Sequence, residues 1–537
     1  MKRIQLLALT CVVISVPAQL PAQEPHIAHA AARSGHNIVL GTVTFPNSGA
    51  LEAQAPFLRG LALLHSFEYE DAAVAFQEAQ RADSKFALAY WAEALTYARL
   101  LWGLDDQEAA HRVLNRLGRN SKARIKRAQS ERERAYGAAV EALYMSADLA
   151  TRSRAFADSL RTIRQRYPGD LEATAFASIA LQLALAAGAY PDAEQAAVRE
   201  EAVTLAEQVF ASLPNHPGGA HYLIHATDHP AVARRGLAAA RVYAQIAPDA
   251  EHALHMPSHI FLQLGMWDDV VSSNERAWAA SRAWVTGRGA AATDLDFHTL
   301  AWLQYGYLQQ GRHSASLALI DTARAVLHRV DLSASGAVDA RYVIARLQFM
   351  HAIETDNWAG WAPVATPVGL DTASERARFF ASNADYQLSI AAALRGDTTA
   401  ASAAAARFAG RAVVESQLKA LRAHARGEAD RSLGLLAQAA DAEARVPHSG
   451  PPNVVPSHEL HGAALMARGS FTEAATAYEE ALLLMPNRSN ALLGAARAYA
   501  AAGEGEAARA AYGRLLANLH AADHGLTMVA EAQRGSL

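Results

Sequence analysis

Along most of this chain apolar residues return every three or four positions, with polar residues between them, a pattern that predicts amphipathic helices rather than strands. The clearest stretch is HELHGAALMARGSFTEAATAYEEALLLMPNRSNALLGAARAYAAAGEGEAARAAYGRLL. Within it Gly462, Leu465, Ala474, Tyr478, Ala481 and Pro486 run small, large, small, aromatic, small, proline. Ala496, Tyr499, Ala508 and Tyr512 repeat the first four of those positions 34 residues later. That period is the length of a helix–turn–helix repeat. Small residues let the paired helices approach, aromatics fill the space between them, and Gly469 and Gly503 mark the turns.

The same order holds near the start of the chain, where FLRGLALLHSFEYEDAAVAFQEAQRADSKFALAYW supplies Gly60, Leu63, Ala72, Phe76 and Ala79 at matching spacings. A middle copy has Gly265 in its turn, then Val270 and Ala277, followed by the hairpin WLQYGYLQQGRHSASLALI. Residues 120–165 are charged and helical in pattern, and residues 395–445 are alanine-rich with few turn markers. PHSGPPNVVP, residues 447–456, interrupts any helix and reads as a linker. The chain therefore divides into a leader over 1–22, an arm over 23–55 and N-terminal repeats over 56–165. Central repeats follow over 166–330, then degenerate helical repeats over 331–446, the linker at 447–456, and C-terminal repeats over 457–537. The arm carries His26, His29, His36 and a VLGTVTFPNSG segment that fits no repeat. The predicted fold class is all-α, a helical-repeat solenoid or α-α superhelix.

Composition agrees with that architecture. With 537 residues and 51% hydrophobic content, the chain is too long for a single compact core, and a repeat array extends its core with every unit. A formal net charge of −4 points to neither nucleic acid nor an anionic membrane as partner. The N-terminus has Lys2 and Arg3, an apolar run from Ile4 to Val16, and small residues at Ala18 and Ala22. This reads as a secretory signal cleaved near residues 18–22, which predicts a periplasmic or secreted protein. The run is short for a membrane span, and no later one reaches about 18 to 20 uninterrupted apolar residues. The only cysteine, Cys11, lies inside the leader, so disulfides and cysteine catalysis are excluded for the mature chain.

The candidate chemistry is carried by histidine. His221 and His225 lie in GGAHYLIHATDHP, and His255 and His259 in EHALHMPSHIFLQLG; each pair has the i, i+4 spacing of one helix face, and each member stands 34 residues from its counterpart. Helices pack about 8 to 10 Å apart, so four imidazoles are predicted to converge on one spot. Such a nitrogen-rich set suits zinc, copper or nickel. His252, one turn before His255, is a fifth candidate ligand, and Asp228 either ligates or orients a ligating ring. His298, in LDFHTLAWL, approaches the same groove as a weaker candidate. Asn274, where Phe76 and Tyr478 stand in other repeats, is expected to be a buried amide that bonds the backbone or the histidine site. Tyr222 either donates a proton or packs. His216 and His229, each before a proline, read as loop or cap residues. Trp91, Trp102, Trp267, Trp278 and Trp284 read as interhelical packing.

On these segments the chain resembles a group of exported bacterial tetratricopeptide repeat proteins that carry motifs similar to HPGGAHYLIHATDHP and HALHMPSHIFLQLGMWDDVVSSNERA. The likeness takes in VLGTVTFPNSG, RGLALLHSFEYEDAAVAFQEA, ALAYWAEALTY, DFHTLAWLQYGYLQQGR and PSHELHGAALMARGSFTEAATAYEEALLLMPNR, and is least distinctive over residues 331–445. It implies a tetratricopeptide-type solenoid and export, and it places the paired histidines on the first helix of each hairpin, facing the concave groove. It implies no reaction. The chain departs from the group at Gly49 and Phe86, where relatives carry cysteines, so that the bridge those cysteines imply is lost. It departs again at Arg99 and Leu100, where relatives carry a His-Pro pair. If that histidine is a ligand in the relatives, this chain binds metal with fewer ligands or has lost the function, and Arg99 instead favours an anionic ligand.

Three functions follow from this reading. The first is an exported scaffold that binds a ligand or a protein or peptide partner in its groove, with a transition-metal site on His221, His225, His252, His255 and His259 and with Asp228, Arg99 and His298 as ligand-binding residues. The second is a metal-dependent hydrolase or redox enzyme in which Asp228 or Tyr222 assists proton transfer. The third is a purely structural adaptor. Three protein ligands with an open position point to catalysis, whereas four or more point to storage or structure. No glycine-rich nucleotide loop, serine nucleophile elbow or HExxH motif is present.

Overall fold

The computed structural model describes residues 38–99, 101, 104–327, 335–358, 375–395, 408, 410–446 and 449–537. The leader with Cys11, the three arm histidines, Leu100 and Trp102 lie outside the described residues. Within them the regular structure is helical, apart from a two-residue antiparallel pair that sets Ala98 against Asp105 and Arg99 against Leu104. Helices follow one another as antiparallel hairpins. Leu51–His65 pairs with Tyr69–Ala82, Leu171–Ala186 with Asp192–Ser212, Pro217–Ala226 with Ala233–Ile246, and Ser457–Arg468 with Phe471–Leu484.

The small-aromatic signature has a steric origin. A β-carbon on Gly60 would stand 2.5 Å from the Phe76 ring, and one on Gly462 would stand 2.8 Å from Tyr478. Tyr478 also fills the space beside Gly494 in the following repeat, where a β-carbon would come within 2.2 Å. The aromatic thus occupies the volume that two glycines leave empty, once inside its own hairpin and once against the next.

The solenoid folds back on itself. Trp267 donates its indole N–H to the Asn487 carbonyl at 2.9 Å, Ser489 Oγ donates to the Gln309 carbonyl at 2.6 Å, and Ser314 N–H donates to Asp523 at 2.7 Å. At the centre of this junction Arg488, wholly buried, pairs with Glu354 at 2.7 Å and with Glu459, and donates to the Tyr305 hydroxyl at 2.8 Å. The described part of the arm lies along the central repeats, where Thr42 N–H donates to the Asn215 carbonyl at 2.9 Å and Leu40, Val43 and Phe45 join the largest core cluster. Residues 449–456 also pack inward: Ser449 reaches Asp228, the Gly450 backbone lies against Trp302, and Val455 is buried with Tyr386. No described helix is long and apolar enough to cross a membrane.

Candidate metal centre

His216 caps the Pro217–Ala226 helix by accepting the Gly219 N–H on its Nδ1 at 3.1 Å, and Pro217 takes the first helical position, where its missing N–H costs nothing. This helix presents His221 and His225. The first helix of the next hairpin is divided by Pro257 into Glu251–His255 and Pro257–Gln263, because a proline removes one backbone donor and crowds the preceding turn. His252 and His255 lie on the first part and His259 on the second. Asp296 caps the Phe297–Gln309 helix, which carries His298 at its second residue.

The four imidazoles predicted to share one spot are divided between two sites. His221, His225 and His252 form one triad and His255, His259 and His298 the other, the ligand atoms of each lying within 4.8 Å of one another. Each triad takes an i, i+4 pair from the first helix of one hairpin, divided at Pro257 in the second case, and a single histidine from the first helix of the next hairpin, with one intervening helix between them in the chain. The reason is distance: rings four apart on a helix have centroids 4.7 Å apart (His221–His225) and 5.1 Å apart (His255–His259), whereas His225 and His259, equivalent positions one repeat apart, are separated by 6.1 Å. His298, the weaker candidate in sequence, is a full member of the second triad.

Hydrogen bonds fix how these rings present their nitrogens. His259 Nδ1 bonds the Asp228 carboxylate at 2.8 Å, and Asp228 is held in turn by Gln263 at 2.9 Å and Ser449 at 2.6 Å. His255 Nδ1 donates to Asn274 Oδ1 at 2.7 Å, an orientation set by Asn274 Nδ2, which donates to the Val270 carbonyl at 2.8 Å. His221 Nδ1 donates to the His65 carbonyl at 2.6 Å. With Nδ1 protonated in each case, Nε2 of all three rings carries a lone pair. His255 Nε2 faces His259 Nε2 at 3.2 Å and His298 Nε2 at 3.1 Å, and His221 Nε2 faces His252 Nε2 at 3.0 Å. Nitrogens bound to one tetrahedral ion at about 2.0–2.1 Å stand about 3.3–3.4 Å apart, close to these separations. A proton serves two facing nitrogens in line; an ion serves three.

Burial sets the charge states. Desolvation pushes the His221 ring down to about 3, against the opposing pull of the His65 carbonyl, so the ring is neutral and basic toward an ion. Burial opposes ionisation of Asp228, but the His259 ring and the hydrogen bonds from Ser449 and Gln263 hold its carboxyl below the ordinary range. Aromatic faces close both sites. Phe67 lies 4.4 Å from His221, centroid to centroid, and within 5.5 Å of His225 and His252, while Trp302 lies 4.3 Å from His259 and 5.0 Å from His255. Phe67 holds a left-handed backbone, φ 59°, which a bulky side chain adopts only at a cost.

A third cluster was not legible in the sequence. His65, Glu172 and His216 meet where three helices touch, with His65 Nε2 2.9 Å and His216 Nε2 3.0 Å from the two oxygens of Glu172. Burial would raise the Glu172 pKa, but the two imidazoles hold it at about 2. The remaining ring nitrogens are also engaged, His65 Nδ1 by the Tyr222 hydroxyl at 2.9 Å and His216 Nδ1 by the Gly219 N–H. This cluster is satisfied by protein partners alone and serves to position: the carbonyl of His65 is the one that orients His221. Gly218 makes room for it, since a β-carbon there would stand 2.5 Å from His65 Nδ1. Tyr222 therefore serves His65 and makes no hydrogen bond to either triad. Arg99 pairs with Glu70 at 2.5 Å, its guanidinium 5.2 Å from the Tyr69 ring centroid, and Tyr69 in turn stacks on Phe67, so the cation is separated from the first triad by two aromatic rings.

Residues 465–530 match the family described as tetratricopeptide repeat. The fold is a tetratricopeptide-type solenoid. Among solved structures the chain is similar to yeast Tom70, at 12% identity and a TM-score of 0.35, over 90% of this chain and 95% of that one. It is also similar to the APC/C hetero-tetramer Cut9–Hcn1, at 13% identity and a TM-score of 0.33, over 92% of this chain and 78% of that one. No curated protein matches the chain.

Proposed function

We propose that this chain is an exported tetratricopeptide-type scaffold that holds two transition-metal ions, one on His221, His225 and His252 and one on His255, His259 and His298, and that presents them to a ligand or partner bound by the repeats. One observation carries the reading: His255 and His259, whose Nδ1–H groups donate to Asn274 and Asp228, turn Nε2 lone pairs toward each other at 3.2 Å, with a third Nε2 beside them. Imidazole donors without thiolate or direct carboxylate suit copper, zinc or nickel. The hydrogen bonds to Asp228, Asn274 and the His65 carbonyl are those that ligating histidines make with their other nitrogen. Export rests on the leader-like N-terminus.

A metal-dependent enzyme, hydrolytic or redox, is the second reading. It is favoured by the number of protein ligands, since three imidazoles leave a tetrahedral ion one open position. The test is metal content, measured by mass spectrometry on protein purified without a histidine tag and reconstituted with zinc, copper or nickel. Wild type is expected to hold two ions, His225→Ala to retain the second site, and His225→Ala/His259→Ala to hold none. An unloaded wild type, or a double variant that loads as wild type does, overturns the proposal.

A further inference from the structure

Resting on that reading, we infer that the two triads form one coupled two-ion centre whose ions share a small oxygen anion of the hydroxide class. Three observations lead there. The first is adjacency. His252 and His255 lie three residues apart on one short helix and serve different triads, and their rings are 6.4 Å apart. His225 and His259 face each other across the repeat boundary at 6.1 Å. The two ions are therefore held side by side by rings in mutual contact.

The second is charge. Two divalent ions bring four positive charges to six imidazole ligands that bring none. Asp228 bonds the His259 ring and Glu68 lies 3.5 Å from the His252 backbone N–H, so the carboxylates beside the triads offset only part of the four positive charges. A buried surplus of that size is costly, and an anion lying between the ions offsets it for both at once. Water placed there loses a proton to bulk solvent, since metal coordination lowers its pKa toward 7, and the hydroxide stays as the bridge.

The third is access. His221 and His255 are wholly buried, His259, His252 and His298 are 3%, 7% and 8% exposed, and His225 is the most open member. Phe67 covers one triad and Trp302 the other. The partly exposed His225 marks the side from which a small anion, of azide size or below, reaches the centre.

The experiment is electron paramagnetic resonance on the untagged protein loaded with copper(II), with bound copper counted separately. Wild type is expected to bind two copper ions yet give a small fraction of the signal of two isolated ions, because a bridging oxygen pairs their spins. His298→Ala is expected to bind one ion and give its full signal, and azide is expected to change the wild-type optical spectrum by replacing the bridge. Two bound ions that integrate to two independent spins would overturn the coupled centre and leave the metal-site reading standing. Protein that binds no copper, zinc or nickel would overturn both.

Discussion

Replacing Arg488 with methionine is expected to destabilise the closed solenoid by about 3–5 kcal/mol, the usual cost of removing one partner from a buried charge cluster. Arg488 is wholly buried between Glu354 and Glu459, and burial already pushes the Glu354 carboxyl above its ordinary value despite the guanidinium beside it. Without the cation the buried Glu354 carboxylate is left facing the partly buried Glu459. Trp267 reports on this place directly, since its ring lies 5.6 Å from Tyr305 and its indole N–H bonds Asn487. Urea unfolding followed by tryptophan fluorescence should show the C-terminal repeats releasing at lower denaturant, as expected where repeats interact mainly through neighbours. Adding Glu354→Gln and Glu459→Gln should recover much of the loss. A loss below about 1 kcal/mol, as for an exposed pair, would mean that the junction does not depend on the cluster.

The second large effect is expected at Asp228. Its carboxylate bonds His259 Nδ1 and is itself fixed by Gln263 and Ser449. Partners of this kind orient a ligating ring and raise its basicity, and their removal typically weakens metal binding by roughly 10–100-fold. In a His221→Ala background, which disables the other triad, Asp228→Ala should weaken binding by that factor in competition against a chromophoric chelator. Ser449→Ala, which leaves the carboxylate on the ring, should have a smaller effect. Equal affinity with and without Asp228 would place His259 outside the metal site.

The parts of this molecule that depend on neighbours in sequence were legible, and those that depend on distant ones were not. Gly60 with Phe76 and Gly462 with Tyr478 reveal the repeat because each pair meets inside one hairpin. The histidine pairs are visible for the same reason, as are Asn274 in an aromatic's place and His216 as a cap. Sharing of the histidines between two sites was hidden, because periodicity gives the face of a helix but not which neighbouring ring lies nearer. His298 was underrated because it lies 43 residues beyond His255, after a long helix and an irregular turn, and so breaks the repeat period. His65 and Glu172 meet across 107 residues, and no local pattern marks either. The same holds for Arg488, whose partners lie in other hairpins, and for Ser449, which reaches Asp228 across 221 residues.

Whether the triads hold metal is read directly by anomalous X-ray diffraction, at the absorption edge of the metal loaded, from crystals of the untagged protein. Two adjacent peaks are expected, each about 2.0–2.1 Å from the imidazole nitrogens of its own triad. Fully loaded crystals with no peak at either triad, or with the metal elsewhere on the surface, would contradict it.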